Sequence, residues 1–493
     1  MLEFTLTSAD PAPAVPAADV LAELGALRGA DAPTRGGRTF AYVYDAGLEG
    51  LDELAAAAYS AYATVNGLDP TVFPSVARLE NDVVGAAAAL LGGSGAQGTF
   101  TSGGTESILL AVKTSRDHAK AERGVTEPQL VLPSTAHAAF HKAAAYLGLE
   151  PVVVPVDRST YRADATAVAA AITPRTALVV ASAPSYAHGV IDPVPEIAAA
   201  AAERGVLCHV DACIGGWLLP HLRRAGQEIP PFDLSVPGVT SLSVDLHKYG
   251  YADKGASVVL YRDAGLRRHQ YFAHAGWPGY PVVNPTVQGT KSAGLLAQAW
   301  AVLRYVGEDG YTALAGRVAE ASGRLLAGLR AMPDVRVLGD PSAGLVAFTV
   351  VDGPDGEPGP SLLLHLADEM RERGWYLQPQ LSFDGLPPNL HLTLTPATVG
   401  QVDALLTDLH AALRAARALP PVAVDPALAE LAAGLDPSRL GPDEIEAVLA
   451  FAGLTGDGGL PARMAPVLIL LDALPGPLTE RLLAEFVGSV FRI

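Results

Sequence analysis

The sequence has few cysteines, few basic residues and no long uninterrupted apolar run. Only Cys208 and Cys213 occur among 493 residues, which excludes a disulfide framework and a four-cysteine zinc site. No stretch reaches about 18 consecutive apolar residues, even in the apolar segments 83–91 and 465–471. We therefore expect a soluble protein without a membrane span, located in a reducing cytoplasm.

Positive charge is scarce relative to negative charge. The chain has 34 lysines and arginines against 52 acidic residues, a formal net charge of −18. This excess repels phosphate backbones and anionic lipid head groups. The first 20 residues also lack the basic start and continuous apolar core of a signal peptide. We therefore expect neither a nucleic acid nor a membrane surface as a partner, and no export signal.

Short apolar runs alternate with alanine-rich stretches of helical length between about Gly98 and Tyr261. This alternation predicts βαβ units, and therefore an α/β fold with a mainly parallel sheet buried between helices. Ligands of such sheets collect at the carboxyl ends of the strands, which is where chemistry is expected. The apolar runs span residues 129–133, 151–156, 176–184, 205–212, 240–248 and 256–262, and the helical stretches span 106–121, 138–147 and 195–204.

Composition divides the chain into four predicted regions. A helix candidate at 51–63 and a turn-rich segment at 66–74 indicate an N-terminal arm. After position 310, a helical stretch precedes strand candidates at 335–339, 345–350 and 390–395, with a helix at 368–373, which indicates a small α+β domain. Leucine-rich segments separated by proline and glycine then indicate a helical extension. The predicted regions are the arm 1–80, a large domain 81–310, the small domain 311–420 and the extension 421–493.

The segment TSGGTESI, residues 101–108, has two glycines between a strand end and a helix start. A helix N-terminus presents unpaired N–H groups and partial positive charge, and Gly103 and Gly104 let an anion approach the backbone closely. Phosphate suits such a turn, although the segment is neither a Walker loop nor GxGxxG. An ordinary glycine turn with Thr105 as the helix N-cap is the alternative.

Asp211 ends an otherwise apolar strand in the segment HVDACIGGW. A buried carboxylate needs a cationic or hydrogen-bonding partner, because burial of an unpaired charge costs several kcal/mol. The protonated ring nitrogen of a bound cofactor would satisfy this need. An arginine partner or a helix-capping role is equally compatible with the sequence.

Lys248 directly follows a strand in SVDLHKYGYADKG. A lysine that forms a Schiff base must reach its cofactor from a fixed position, which a strand end provides. An isolated His-Lys pair is weak evidence, because most lysines lie on the surface. His137 is a further candidate, since an imidazole stacked on a cofactor ring would fix its tilt. His137 and His141 on one helix would also permit a metal site, but a third ligand is missing, and we expect no metal.

The order of these features favours one cofactor. A glycine turn, His137, strand-end Asp211 and strand-end Lys248 follow one another on successive βα units. This order is expected for pyridoxal 5'-phosphate (PLP) bound as a Schiff base on Lys248, with Asp211 keeping its ring nitrogen protonated. A nucleotide-binding α/β protein is an alternative that leaves Asp211 and Lys248 unexplained.

With these residues in place, the sequence resembles the group II PLP-dependent decarboxylase superfamily, and within it the sphingosine-1-phosphate lyase branch. The resemblance runs from about Arg38 to Arg417 and implies the PLP-dependent transferase-like fold, the aspartate aminotransferase fold type I. It implies that the large domain 81–310 binds PLP and that the chain forms a homodimer with shared active sites. The segments that carry it are HVDACIGGW, VPGVTSLSVDLHKYGYADKGASVVLYRD and TSGGTESI.

The resemblance also assigns roles to residues. It implies a Schiff base on Lys248, pairing of Asp211 with the pyridine nitrogen, and His137 stacked on the ring. Phosphate contacts are implied for Gly104, Thr105 and His247, and for Gly289 and Thr290 across the dimer to the partner's cofactor. Where the family's loop continues with arginine and proline, this chain has Lys291 and Ser292.

The substrate site departs from the family pattern. The lyases hold their substrate's phosphate with a tyrosine, a histidine and a lysine, for which Tyr44, Asp69 and Lys254 stand at the matching positions. A carboxylate about 4 Å from a phosphate would repel it by about 4 kcal/mol at an effective dielectric constant near 20. We expect Asp69 either to pair with Lys254 or to attract a cationic part of another substrate.

The resemblance implies a PLP-dependent carbon–carbon lyase that cleaves an amino alcohol, phosphorylated or not, into an aldehyde and an amine. An amino-acid decarboxylase on the same scaffold is the alternative, because both reactions use the same electron sink. A cofactor-binding protein without catalysis is a third hypothesis. The retention of Lys248, Asp211 and His137 together argues against it.

Overall fold

The structure, a computed structural model, describes residues 15–351, 356, 359–424, 432, 434–441, 445 and 461–491. Its helices are α1 (Ala17–Leu27), α2 (Leu51–Tyr62), α3 (Pro74–Leu90), α4 (Gly104–Arg123), α5 (Ala139–Leu147), α6 (Ala165–Ala171), α7 (Val194–Glu203), α8 (Gly215–Arg224), α9 (Ala264–Arg267), α10 (Gly294–Arg330), α11 (Pro360–Glu372), α12 (Val402–Arg417), α13 (Ala465–Ala473) and α14 (Gly476–Val490). Its strands are β1 (Gln97–Thr101), β2 (Gln129–Pro133), β3 (Glu150–Val154), β4 (Thr176–Ser182), β5 (Leu207–Asp211), β6 (Ser241–Asp245), β7 (Ser257–Tyr261), β8 (Phe272–His274), β9 (Val282–Asn284), β10 (Val335–Val337), β11 (Leu345–Val350), β12 (Gln378–Gln380) and β13 (Asn389–Thr393).

A seven-stranded sheet in the order β1-β7-β6-β5-β4-β2-β3 forms the centre of the large domain. The strands from β6 to β3 pair in parallel, while β7 runs antiparallel to both of its neighbours. Strands β2, β4, β6 and β7 are buried at every position, because helices cover both faces of a βαβ sheet. The predicted α/β class with a mainly parallel sheet is confirmed, and each of the six predicted apolar runs overlaps a strand.

The register brings three strand ends to one edge of the sheet. Thr101, the last residue of β1, and Asp245, the last residue of β6, both pair with Ser257 at the start of β7. Asp211, the last residue of β5, pairs with Ser243 of β6. Because β7 inserts antiparallel between β1 and β6, the carboxyl ends of β1, β5 and β6 lie close together.

The small domain contains a four-stranded antiparallel sheet in the order β10-β11-β13-β12. The N-terminal segment joins it, since Phe40 N–H donates to Tyr376 O and Thr393 N–H donates to Phe40 O. Phe40 is fully buried in the core of this domain beside Trp375. The predicted small α+β domain is confirmed, and β12, whose residues are Gln-Pro-Gln, is an additional strand without an apolar pattern.

Two long helices run across boundaries predicted from composition. Helix α3 spans position 80 and α10 spans position 310. Gly307, with φ of +63°, interrupts the helical backbone inside α10. The boundaries at 80, 310 and 420 therefore stay predictions, and part of the predicted extension lies outside the described residues. No helix of the described residues is long and apolar enough to cross a bilayer.

The described part of the C-terminal extension docks on α11. Asp368 of α11 caps the start of α13, because its two carboxylate oxygens accept from the Met464 and Ala465 N–H groups, each at 2.9 Å. Arg463 pairs with Glu369 of α11 at 2.6 Å. These polar contacts flank an apolar interface formed by Leu364, Ala465 and Ile469. The extension is therefore packed against the small domain.

Candidate active site

A cavity of about 510 Å³ opens at the edge where β1, β5 and β6 end. Six residues predicted from the sequence line it together, although they come from four separate segments of the chain. Its polar lining is therefore supplied mainly by residues that follow strand ends. The six predicted lining residues are Gly104, Thr105, His137, Asp211, His247 and Lys248.

The glycine turn follows β1 and opens α4. Gly103 has a φ of +144°, a conformation that favours glycine. A Cβ atom at Gly104 would lie 2.8 Å from both the Asp245 carboxylate and the Cys213 sulfur. The α4 N-terminus therefore approaches the cavity without side-chain bulk. The alternative that Thr105 caps the helix is wrong, because Gly103 holds the N-cap position and no side chain caps it there.

Glu106 fixes the turn to a distant loop. Its carboxylate accepts from Ser102 N–H at 2.6 Å and from Val287 N–H at 2.7 Å. Both Val287 and Gln288 of that loop line the cavity. Glu106 was not among the predicted site residues. Its position in the sequence gives no sign of the hydrogen bond from Val287, which is 181 residues away.

Asp211 is 8% exposed and lines the cavity. Its Oδ1 accepts from Cys213 N–H at 3.1 Å. The arginine partner considered above is not formed among the described residues, since no arginine lies within ion-pair distance of Asp211. Helix α8 begins only at Gly215, after Ile214 in the N-cap position, so the helix-capping alternative is wrong. The carboxylate is thus placed for a hydrogen-bond donor inside the cavity.

Lys248 forms an ion pair that was not predicted. Its Nζ lies 3.0 Å from Asp245 Oδ2, with side-chain exposures of 18% and 3%. Strand β6 ends at Asp245, so Lys248 lies three residues beyond the strand rather than directly after it as predicted. The hydrogen bond from Lys248 N–H to Asp245 O, at 3.4 Å, forms the turn that returns the lysine to the strand end.

The pair sets the charge state of the cavity. Burial by itself would lower the pKa of Lys248, but the facing carboxylate of Asp245 raises that pKa above the usual value. Burial opposes ionisation of Asp245, yet the Lys248 and His247 charges hold its pKa below the usual value. An ammonium and a carboxylate therefore face each other when no cofactor is attached. Asp245 has the same sequence signal as Asp211, because each is a carboxylate at the end of an apolar strand.

His247 lies beside the Lys248–Asp245 pair and is hydrogen-bonded to the backbone of Ala256. Its Nδ1–H donates to Ala256 O at 2.8 Å, which leaves Nε2, 3.6 Å from Asp245 Oδ2, on the cavity side. Burial lowers the pKa of His247 despite the nearby Asp245 charge. The imidazole is thus fixed in orientation beside the glycine turn.

His137 precedes α5 instead of lying on it. Its Nδ1 accepts from Ala139 N–H at 3.2 Å, so the Nε2 atom of the neutral ring carries the proton. The prediction that His137 and His141 stand four apart on one helix is wrong, because α5 begins at Ala139. No group of three or more metal-binding side chains occurs among the described residues.

A second cavity of about 450 Å³ lies beyond His247 and contains two of the predicted substrate residues, Tyr44 and Lys254. The Lys254 ammonium is 4.9 Å from the centre of the Tyr44 ring. Burial and the Lys248 charge lower the pKa of Lys254 to about 8. Arg35 lines the same cavity and pairs with Asp52 at 2.5 Å. We call this the head-group cavity.

Asp69, the third predicted substrate residue, is not part of the head-group cavity. Its Oδ1 accepts from Thr71 N–H at 2.9 Å, Thr71 Oγ1–H at 2.6 Å and Val72 N–H at 3.4 Å, and these hydrogen bonds lower its pKa. It closes an exposed turn ahead of α3. The predicted pairing of Asp69 with Lys254 is therefore wrong within this chain, and its charge does not oppose an anion there.

Gly289 and Thr290 are exposed and do not line the cofactor cavity. The two residues before them, Val287 and Gln288, do line it. Lys291 O accepts from Gly67 N–H at 2.7 Å, and Ser292 Oγ donates to Ala63 O at 2.8 Å. These contacts fix the loop on the N-terminal arm, and the predicted contact to a partner's cofactor stays a prediction.

A hydrogen-bonded row of side chains, which was not predicted, connects Tyr186 of the cofactor cavity to Tyr42 of the head-group cavity. Tyr186 O–H donates to Gln378 Oε1, and Gln378 Nε2–H donates to Tyr42 Oη at 2.8 Å. The Tyr186 ring stacks on His391 at 4.4 Å. Tyr42 has a φ of +64°, which is costly for a residue with a Cβ atom and typical of functional sites.

The cavity is suited to PLP on structural grounds. A volume of about 510 Å³ is in the usual range of ligand pockets. It presents a helix N-terminus for a phosphate, a carboxylate for a ring nitrogen and a lysine for an aldehyde. The buried Oδ1 atom of Asp245 has no hydrogen-bond partner, so the polar lining is incomplete without a ligand.

Comparison with known proteins agrees with this site. Residues 37–351 match the family described as "Pyridoxal-dependent decarboxylase conserved domain". The chain belongs to this family. It is a PLP-dependent lyase, and its cofactor is pyridoxal 5'-phosphate. Residues 426–489 match a second family, described as "Pyridoxal-dependent enzyme, C-terminal putative HTH domain".

Individual relatives show which branch of the family the chain resembles. The chain is 42% identical over 387 residues to a sphingosine-1-phosphate lyase of Arabidopsis thaliana, which covers 77% of this chain and 68% of the relative. The solved structure of Burkholderia pseudomallei sphingosine-1-phosphate lyase superimposes with a TM-score of 0.76 at 36% identity, over 84% of this chain and 93% of that one. A Methanothermobacter thermautotrophicus protein described as a probable L-tyrosine/L-aspartate decarboxylase is 33% identical, over 72% of this chain and 93% of its own. The predicted resemblance to the lyase branch is confirmed.

Proposed function

We propose that this chain is a sphingosine-1-phosphate lyase-like enzyme that cleaves a phosphorylated amino alcohol by a retro-aldol reaction into an aldehyde and an amine. The proposal rests on two neighbouring cavities that share His247. The Lys248–Asp245 pair, Asp211 and the α4 N-terminus surround one cavity, and Lys254 and Tyr44 line a second cavity directly beyond His247. A substrate whose amine binds the cofactor beside Lys248 would thus have the Lys254 ammonium near its head group.

The residues of the first cavity suit the parts of PLP. Lys248 would bind the aldehyde, Asp211 the ring nitrogen and His137 one face of the ring, while Gly104, Thr105 and His247 would hold the phosphate. When bound, PLP supplies an electron sink for the bond that breaks at the substrate's α carbon. Asp245 holds a proton on Lys248 Nζ whenever that amine is free. The ion pair therefore keeps the lysine side chain close to the reacting centre.

The head-group cavity offers a cation to an anionic head group. Lys254 supplies a cation below pH about 8, and the Arg35 guanidinium lies in the same lining. Asp69 lies in its own turn and adds no repulsion there. Asp45, Asp52 and Asp253 also line the cavity, and Arg35 is paired with Asp52, so an anion there depends on contact with Lys254 rather than on the net charge of the lining.

Product analysis separates the proposal from its alternative. Holoenzyme incubated with sphingosine 1-phosphate is expected to release a long-chain aldehyde, whereas incubation with amino acids is expected to release no carbon dioxide. The decarboxylase alternative is not favoured, because the lyases are the more similar relatives. Carbon dioxide release without aldehyde would overturn the proposal, and absence of both products would favour a protein without catalysis. Lys248→Ala is the matched inactive control.

We further propose a homodimer with shared active sites, in the cytoplasm. The support is the exposed placement of Gly289 and Thr290 beside the Glu106-tethered loop. Lys248→Ala and Thr290→Asp chains, each inactive alone, are expected to regain part of the activity when co-expressed, because a mixed dimer keeps one site with both residues intact. No regain in a purified mixed dimer would contradict the shared site.

A further inference from the structure

A loop of the small domain borders a third cavity beside the cofactor site. Residues 381–388, here called the crossing loop, connect β12 to β13. The third cavity measures about 420 Å³ and shares His137 and Tyr186 with the cofactor cavity. It shares no lining residue with the head-group cavity, which meets the cofactor cavity at His247 instead. The crossing loop contributes Leu381, Phe383, Leu386 and Pro387 to its wall.

The tip of the crossing loop is a tight turn docked on the large domain. Phe383 and Leu386 exchange two backbone hydrogen bonds of 3.2 and 2.8 Å around Asp384 and Gly385, which have φ of +48° and +75°. Leu386 is 8% exposed and packs with Tyr161. The loop therefore reaches from the small domain to the large domain across the third cavity.

The base of the crossing loop is held by the C-terminal extension. Ser382 N–H donates to Asp472 Oδ1 at 2.6 Å, and Ser382 Oγ–H donates to Asp472 Oδ2 at 3.0 Å. Leu381 packs beside an apolar cluster of the extension. Hydrogen bonds to a charged acceptor are among the stronger ones in proteins. The members of this cluster in α13 and α14 are Val467, Leu471, Leu478 and Leu482.

The helix that contains Asp472 is itself anchored to the small domain. Helix α13, which ends one residue after Asp472, is capped by Asp368 and held by the Arg463–Glu369 pair. A continuous path of contacts thus runs from α11 through α13 to Ser382 and the cavity wall. The path joins the second matched family region to the active site.

The charge of the extension disfavours nucleic acid as its partner. Residues 426–489 contain three arginines and no lysine, against nine acidic residues. DNA binding depends on lysines and arginines that neutralise phosphates. The described apolar face of α13, which includes Val467 and Ile469, is also buried within the chain.

We infer that the extension is part of the active-site wall, with Asp472 and Ser382 as positioning residues that fix the crossing loop over the cavity receiving the substrate's apolar chain. This inference rests on the proposed function for the identity of the substrate. The position of the loop itself does not depend on it. The large-domain side of this cavity includes His141 and His188, whereas the crossing loop supplies Leu381, Phe383 and Leu386. This apolar side suits an aliphatic chain better than a second charged group.

The test compares three variants of the full-length holoenzyme. Asp472→Ala removes both hydrogen bonds, Asp472→Asn keeps one acceptor, and Glu480→Gln removes an exposed carboxylate of α14 as the control. For sphingosine 1-phosphate, Asp472→Ala is expected to raise KM about tenfold with kcat changed less than about twofold. A short-chain phosphorylated amino alcohol should show little change in KM, and Asp472→Asn should fall between wild type and Asp472→Ala.

Hydrogen exchange of residues 381–388 provides a readout that is independent of catalysis. The amides of this loop should exchange about tenfold faster in Asp472→Ala, with cofactor absorption and melting temperature close to those of Glu480→Gln. Unchanged exchange and unchanged KM in Asp472→Ala would overturn the inference. If the wild-type enzyme released no aldehyde while the exchange still rose in Asp472→Ala, the loop support would stand and the proposed reaction would fail. Should Asp472→Ala not fold, Asp472→Asn and Ser382→Ala provide the same comparison.

Discussion

Removal of the Asp245 carboxylate is expected to destabilise the cofactor-free protein through Lys248. The two charged atoms are 3.0 Å apart, and their side chains are 3% and 18% exposed. Coulomb's law gives about 5.5 kcal/mol at this distance and an effective dielectric constant near 20. Asparagine at position 245 would still accept one hydrogen bond, worth about 1 kcal/mol. We therefore expect Asp245→Asn to lower the free energy of unfolding at pH 7 by about 3 to 5 kcal/mol, the usual range for one broken buried pair.

The pH dependence of this loss has a defined sign. In the wild type, Asp245 raises the pKa of Lys248, so the stability from the pair is fully present below the usual lysine pKa, about 10.4, and is lost as pH rises through the folded value. Without the carboxylate, burial disfavours the ammonium. The difference in stability between wild type and Asp245→Asn should therefore be largest near neutral pH and should shrink above about pH 10.

A double-mutant cycle with Lys248→Met isolates the pair. Urea denaturation of the cofactor-free wild type, Asp245→Asn, Lys248→Met and the double variant gives the coupling free energy. The expected coupling is about 2 to 4 kcal/mol. The reasoning would be refuted if Asp245→Asn cost as much in the Lys248→Met background as in the wild type, because the loss would then come from packing alone.

Three further variants probe other parts of the site. Gly104→Ala places a Cβ atom 2.8 Å from Asp245, so it should cost about 1 to 3 kcal/mol of stability and weaken PLP binding, measured by thermal denaturation and cofactor titration; normal affinity would contradict the close approach. Lys254, with a pKa of about 8, loses its charge as pH rises, so kcat/KM for a phosphorylated substrate should fall above about pH 8, and Lys254→Met should remove that fall; a fall that persists in the variant would exclude the lysine as its cause. Tyr186→Phe removes the donor to Gln378 and should lower the unfolding free energy by about 1 kcal/mol, and an unchanged melting temperature would show that the row of side chains contributes nothing to stability.

The main features of the large domain were predictable because its strands are apolar at successive positions. A strand buried on both faces leaves a continuous signal, and a carboxylate that ends such a strand stands out, as Asp211 does. Asp245, which ends β6, shows the same pattern. The register that joins β1 and β6 through Ser257 of β7 explains why these residues meet.

Features set by tertiary contacts were not predictable. The hydrogen bonds that Asp69 accepts from Thr71 are local, yet only the structure shows that Asp69 is absent from the lining of the cavity that contains Lys254. The bond between Ser382 and Asp472 joins residues 90 positions apart. Neither residue type indicates such a partner, because serine and aspartate are usual at exposed turns.

The account depends most directly on a covalent bond between PLP and Lys248. Borohydride reduction of the holoenzyme, followed by digestion and mass spectrometry, is expected to find the cofactor on the peptide that contains Lys248 and nowhere else. Lys248→Ala, treated in the same way, should carry no cofactor and release no aldehyde. A reduced cofactor on another lysine, or aldehyde release by Lys248→Ala at the wild-type rate, would contradict the account.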